Sequence, residues 1–152
     1  MFNFLTAVPD AHVDCSFPKA EKLKSKKIID LLFKNGQSKA FFPIRIIWGY
    51  NVLTEPVWAQ CGVSVSKKNF PNATDRNRIK RQLRETYRLN KSVLLPVLEE
   101  KEAPAAIMIL FTSKEFCDFA EINRQTRRAL NFVSKKIQND AAIVYQNIDS
   151  AH

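Results

Sequence analysis

Between Asp75 and Lys91 the sequence places Arg76, Arg78, Lys80, Arg81, Arg84 and Arg88 with only Asp75 and Glu85 as acids. Guanidinium and ammonium groups do not make or break bonds themselves; they bind phosphate, bidentately in the case of Arg. On a helix with Arg76 at 0°, Ile79, Leu83 and Tyr87 fall at about 300°, 340° and 20°, a narrow core stripe, while Lys80, Arg84, Asn77, Arg88 and Arg81 span about 40° to 140°. Arg76, Lys80, Arg84 and Arg88 follow one another at i,i+4, and a row of like charges costs helix stability. The plain alternative is a solvated face, but solvated faces usually mix signs, and this row is relieved by a polyanion.

Other chemistry is poorly provided for. Cys15, Cys61 and Cys117 are odd in number and widely spaced, which fits reduced thiols serving as small apolar residues rather than a disulfide framework or a zinc site. His12 and His152 stand near the ends without an adjacent nucleophile and orienting acid. No catalytic residue and no metal ligand is assigned, and an enzyme built from the chain's own His, Cys or Ser is not expected.

The 152 residues carry 24 Lys and Arg against 15 Asp and Glu, a net charge of +9, with 45% hydrophobic residues. That length and apolar content predict one domain with a real core. The charge is local: residues 67–91 hold +7 and residues 19–39 hold +5, while 1–18 and 137–152 are each −2. A basic surface so concentrated points to a nucleic-acid partner. The longest nearly apolar run, Ala103 to Phe111, contains Pro104 and is far short of the roughly 20 residues that a membrane helix needs. The start, Met1 to Val8, lacks the basic region and apolar length of a secretory signal. A cytoplasmic location and no membrane partner are expected.

The elements that must position the basic row follow from periodicity and punctuation. Residues 1–18, with Pro9 and Pro18, read as an irregular arm, and 139–152 as a tail. A helix is expected over Lys19 to Asn35, on the spacing of Leu23, Ile28, Leu31 and Leu32 and the stop at Asn35-Gly36. Strands are expected over Phe41 to Asn51 and Val57 to Ser66, joined as a hairpin through Leu53-Thr-Glu-Pro56. Thr74 or Asp75 caps the basic helix, which runs to about Lys91; Pro96 and the acids after it mark a short amphipathic extension. Ala105 to Phe111 is a further strand, Thr112 and Glu115 form a capping box, and a last helix near Asp118 to Gln138 buries Phe119, Ile122, Ala129, Leu130, Val133 and Ile137. The prediction is an α+β class, single-domain α/β sandwich over 19–138, in the order α-β-β-β-α-β-α, with a central, mostly antiparallel four-stranded sheet.

Gly62-Val-Ser-Val-Ser-Lys-Lys68, a short loop, and then Arg76-Asn-Arg-Ile-Lys-Arg-x-x-Arg84 closely resemble the signature of the protein subunit of bacterial ribonuclease P. The resemblance extends from about Leu23, through Phe33-Lys-Asn-Gly36, to the last helix. It implies a basic subunit of a ribonucleoprotein endonuclease that removes the 5′ leader of precursor tRNA, with catalysis and most of the divalent metal (Mg2+) held by the RNA subunit. Its partners would be that catalytic RNA and precursor tRNA, with no protein partner required.

By matching positions, Lys67, Lys68, Arg76, Asn77, Arg78, Lys80, Arg81, Arg84 and Arg88 would bind the RNA subunit. Ile29, Phe33, Trp48, Ser64 and Ser66 would line a cleft for the single-stranded leader, where aromatic faces stack on unpaired bases. On spacing alone, Ile29 and Phe33 also fit a second core face of the first helix, and Ile29 stands where the family usually has an aromatic. The alternative functions are a ribosomal-type or chaperone-like binder of structured RNA using the same basic helix, and a DNA binder with that helix in the major groove.

Overall fold

Alternation along the strands divides the sheet into two unequal faces. On β2 (Ile44–Tyr50), Ile44, Ile46, Trp48 and Tyr50 join the larger core, whereas Ile47 joins the smaller one. On β4 (Ala105–Phe111), Ala105, Ile107, Ile109 and Phe111 share the larger core, and Ala106 and Met108 face the other way. A strand buried on both faces reads as a continuous apolar run, which is why Ala105–Phe111 shows no polar alternation.

The computed structural model describes residues 16–50, 53 and 56–139. A 3-10 turn at Lys19–Glu21 leads into α1 (Lys26–Asn35), β1 (Gln37–Phe41), β2 and β3 (Ala59–Val65). These are followed by α2 (Ala73–Asn90), a 3-10 turn at Lys91–Val93, α3 (Leu95–Lys101), β4 and α4 (Phe119–Asn139). The sheet order is β1-β2-β4-β3, antiparallel for β1/β2 and β2/β4 and parallel for β3/β4. Ile79, Leu83 and Tyr87 of α2 and Ile122, Ala129, Leu130, Val133 and Ile137 of α4 close the larger core. Leu32 of α1 closes the smaller one, with Leu23, Ile47, Ala106 and Met108. The mixed class, the mostly antiparallel four-stranded sheet and the element order are as expected, with α3 as the short extension.

Several local expectations are corrected. The first helix does not begin at Lys19: Lys22 bridges to Cys61 of β3 and the Leu23 amide donates to the Cys61 carbonyl at 3.0 Å, so this stretch is extended. Helix α1 starts after Ser25, whose hydroxyl accepts from the Ile28 amide. It stops at Gly36, where a Cβ would lie 2.6 Å from the Leu32 carbonyl oxygen. The apolar run after it is split by the turn at Phe42–Pro43, a cis peptide, into the hairpin β1/β2.

The hairpin expected between Phe41–Asn51 and Val57–Ser66 does not form, because β4 lies between β2 and β3. Local alternation specifies a strand but not its neighbour. Helix α2 begins at Ala73 behind Asn72, which places Thr74 and Asp75 inside its first turn. The expected capping box is absent too: the Thr112 amide and hydroxyl both donate to the Pro43 carbonyl, tying the end of β4 to the β1/β2 turn. Phe119 opens α4 and is exposed rather than core. Cys15, His12 and His152, most of the arm, the tail beyond residue 139, and Thr54 and Glu55 of the Leu53–Pro56 turn lie outside the described residues. Among the described residues no helix is long and apolar enough to cross a membrane.

Candidate nucleic-acid interface

Helix α2 presents its basic row because its apolar stripe is fixed from below. Ile79, Leu83 and Tyr87 are at most 1% exposed against the sheet, so Asn77, Arg78, Arg81 and Arg84 point into solvent and Lys80 is half-buried. None of Asn77, Lys80, Arg81 and Arg84 meets a carboxylate among the described residues. Lys67 and Lys68 are exposed in the loop after β3. Ser66 shapes that loop: its hydroxyl accepts from the Lys68 and Asn69 amides and its carbonyl from the Phe70 amide.

Three of the basic residues behave differently from the sequence reading. Arg76 Nη1 donates to the Phe70 and Pro71 carbonyls at 2.9 and 2.8 Å, so this guanidinium folds the β3–α2 loop back onto the helix. Arg88 has an acid companion after all, donating from Nε and Nη2 to Glu85 at 3.0 and 2.6 Å. That ion pair holds the Glu85 carboxyl below its ordinary range. Lys91, counted with the positive excess, is only 2% exposed, and its Nζ donates to Glu21 at 2.6 Å and to the Ser16 carbonyl. Arg78 lies over the Phe116 ring at 4.7 Å and Phe116 stacks on buried Phe70, so one end of the row rests on an aromatic shelf. The solvent-facing set is therefore Lys67, Lys68, Asn77, Arg78, Lys80, Arg81 and Arg84.

On the other face of the sheet, α1 leaves an open edge. Phe33 is 53% exposed although it belongs to an apolar helix face. Ile29 lines a cavity of about 270 Å³ with Leu23, Gly62, Met108, Lys22, Lys24 and Arg84. Ser64 is half-buried and alternates with Val63 and Val65, which pack toward the larger core, so it sits on the α1 side. Arg84 reaches from α2 to this cavity and joins the two surfaces.

Trp48 does not belong to the cleft. It shares the parity of Ile44 and Ile46, is 1% exposed, meets Phe132 of α4 edge-on at 6.0 Å and donates from Nε1 to the Tyr50 hydroxyl at 3.3 Å. On a pleated strand a one-residue change of register moves a side chain to the opposite face, and Trp48 is turned to the helix-covered one. Lys22 and Lys24 also wall the cavity, a placement that a continuous helix over Lys19 to Asn35 does not predict.

Chemically, these surfaces bind rather than react. Burial pushes the Cys61 thiol far above its ordinary value, so it stays protonated, and the Tyr87 phenol is likewise held neutral by burial. Among the described residues no three His, Cys, Asp or Glu side chains gather as a metal cage. A cationic ridge beside a small cleft walled by Leu23, Ile29 and Met108 and by the basic Lys22, Lys24 and Arg84 suits a phosphate backbone next to an unpaired strand.

Comparison with known proteins points the same way. The family model described as Ribonuclease P matches residues 17–133. A ribonuclease P protein component from Porphyromonas gingivalis is 32% identical over 123 residues, covering 81% of this chain and 90% of that protein. The ribonuclease P protein of Staphylococcus aureus superposes with a TM-score of 0.60 at 27% identity, covering 80% of this chain and all of that one. That of Thermotoga maritima gives 0.59 at 25% identity, covering 74% of this chain and 96% of that one.

Proposed function

The chain belongs to the ribonuclease P protein family, a component of an endoribonuclease whose RNA subunit carries catalysis, and from that premise we propose how its two surfaces divide the work. The exposed face of α2 with Lys67 and Lys68 binds the catalytic RNA, and the cleft of Ile29, Phe33, Ser64 and Ser66 receives the single-stranded leader of precursor tRNA. The observation that carries this is the row of exposed Asn77, Arg81 and Arg84 and half-buried Lys80, without acids, on a helix whose apolar stripe is fully buried. Such a row is poorly placed in an isolated protein and well placed against phosphates.

Arg76 and Arg88 act behind the contact surface, Arg76 by fixing the loop that carries Lys67 and Lys68. Divalent ions, Mg2+ in this reading, are held mainly by the RNA. The protein's own contribution is positive charge beside two RNAs that would otherwise repel one another, together with a stacking surface that favours a substrate with a leader over the product without one. Reconstitution with a bacterial ribonuclease P RNA and a magnesium titration tests the whole. The protein alone should leave precursor tRNA uncut, and adding it to the RNA should lower the magnesium needed for leader removal. Cleavage by the protein alone, or affinity for this RNA no better than for unrelated structured RNA, would reverse the conclusion.

A further inference from the structure

Lys91 is the one lysine among the described residues whose side chain is shut away from water, and RNA contact gives it no task. It sits in the 3-10 turn that ends α2, and its ammonium bridges the Glu21 carboxylate and the Ser16 carbonyl. Both partners belong to the strap of residues 16–25 that precedes α1. The strap is fastened elsewhere as well: Phe17 packs on Tyr87 at 5.3 Å, Gln60 donates to the Ala20 carbonyl at 2.8 Å, and the Leu23 amide donates to Cys61 at 3.0 Å. Its far end carries Lys22, Leu23 and Lys24, one wall of the cavity whose other walls are Ile29, Gly62 and Arg84.

A buried ion pair adds little net stability, because desolvation of two charges offsets their attraction; what it supplies is a penalty on arrangements that separate them. Displacing the strap would strand the Lys91 charge in the core end of α2, so the strap has one seat. We propose that Lys91 and Glu21 are a positioning pair for the leader cleft: by locking the strap to the end of the RNA-binding helix, they set the distance between the Lys22–Lys24 wall and Ile29, and so the holoenzyme's preference for tRNA carrying a leader. The proposal rests on the reading of that cleft as the leader site.

The test is the full holoenzyme, reconstituted with a bacterial ribonuclease P RNA, and the ratio of its affinity for precursor tRNA to its affinity for the same tRNA without a leader. The variant is E21M/K91M, in which similar volume replaces the charges and the fold is retained, as checked by urea unfolding; F33A is measured alongside. The ratio is expected to fall severalfold in E21M/K91M with affinity for the RNA subunit unchanged, and to recover toward the native value in K91R, which keeps a donor for both oxygens. A ratio unchanged in E21M/K91M but lowered in F33A overturns the positioning pair and leaves the cleft standing. A ratio unchanged in both overturns both. A double variant that loses RNA-subunit affinity and leader preference together also overturns the proposal, since the pair would then be supporting α2 itself.

Discussion

Replacing Trp48 by Ala separates a core residue from a leader-contacting one. The side chain is 1% exposed, and removing a buried aromatic from a core costs about 3–5 kcal/mol. The upper half of that range applies here, because the edge-to-face contact with Phe132 at 6.0 Å is worth about 0.5–1.5 kcal/mol beyond its area. The indole donor to the Tyr50 hydroxyl at 3.3 Å is lost as well. Against a total stability of about 5–15 kcal/mol, this is a large fraction. With a urea slope near 2 kcal/mol per molar, the unfolding midpoint should drop by roughly 2 M, followed through the fluorescence of Trp58, the chain's other tryptophan. The milder W48F should shift the midpoint less and leave the leader preference of the assembled holoenzyme unchanged. A variant that unfolds within about 0.5 M urea of the parent, on the same slope scale, while losing affinity for precursors with a leader would refute the assignment of Trp48 to the core.

Further outcomes follow from particular contacts. R81Q and R84Q should each lower the slope of log affinity for the RNA subunit against log salt by about 0.7–0.9, whereas R88Q, whose guanidinium is engaged by Glu85, should change it much less. Glu85 has a folded pKa below its unfolded value, so its contribution to stability is present at neutral pH and is lost as pH falls through the lowered value; R88M should return the Glu85 titration, followed by NMR, to the ordinary carboxylate range. Between the two described cysteines, a thiol reagent at neutral pH should label half-exposed Cys117 first. Cys61, buried and held protonated, should react only at the rate of unfolding.

The two long helices were legible because each repeats its apolar stripe over several turns; α2 and α4 lie within two residues of the expected limits. The sheet was legible as strands but not as an order, since the insertion of β4 between β2 and β3 depends on contacts across the whole of α2. The basic face was legible as a charge excess, yet three of its members are occupied: Arg76 by loop carbonyls, Arg88 by Glu85 three residues before it, and Lys91 by Glu21, distant in sequence. Only the second pairing is visible in the sequence as a spacing, three residues along one helix. Trp48 shows the other limit. An aromatic residue on a strand has equal claim to either face until its register against the neighbouring strands is known.

Among the described strands β3 pairs with β4 alone, which is made after α2 and α3. At about 5–20 residues per second, a chain emerging from the ribosome would hold its completed basic helix for seconds before β4 and α4, which complete the core beneath it, exist. During that interval the edge of β3 toward β4 has no partner, and α2 lacks part of the surface that buries Ile79 and Leu83. The order of synthesis thus puts the positively charged element ahead of the last part of its support, β4 and α4. A nascent chain is expected to be sticky toward RNA before β4 and α4 have fixed the helix that presents the basic face.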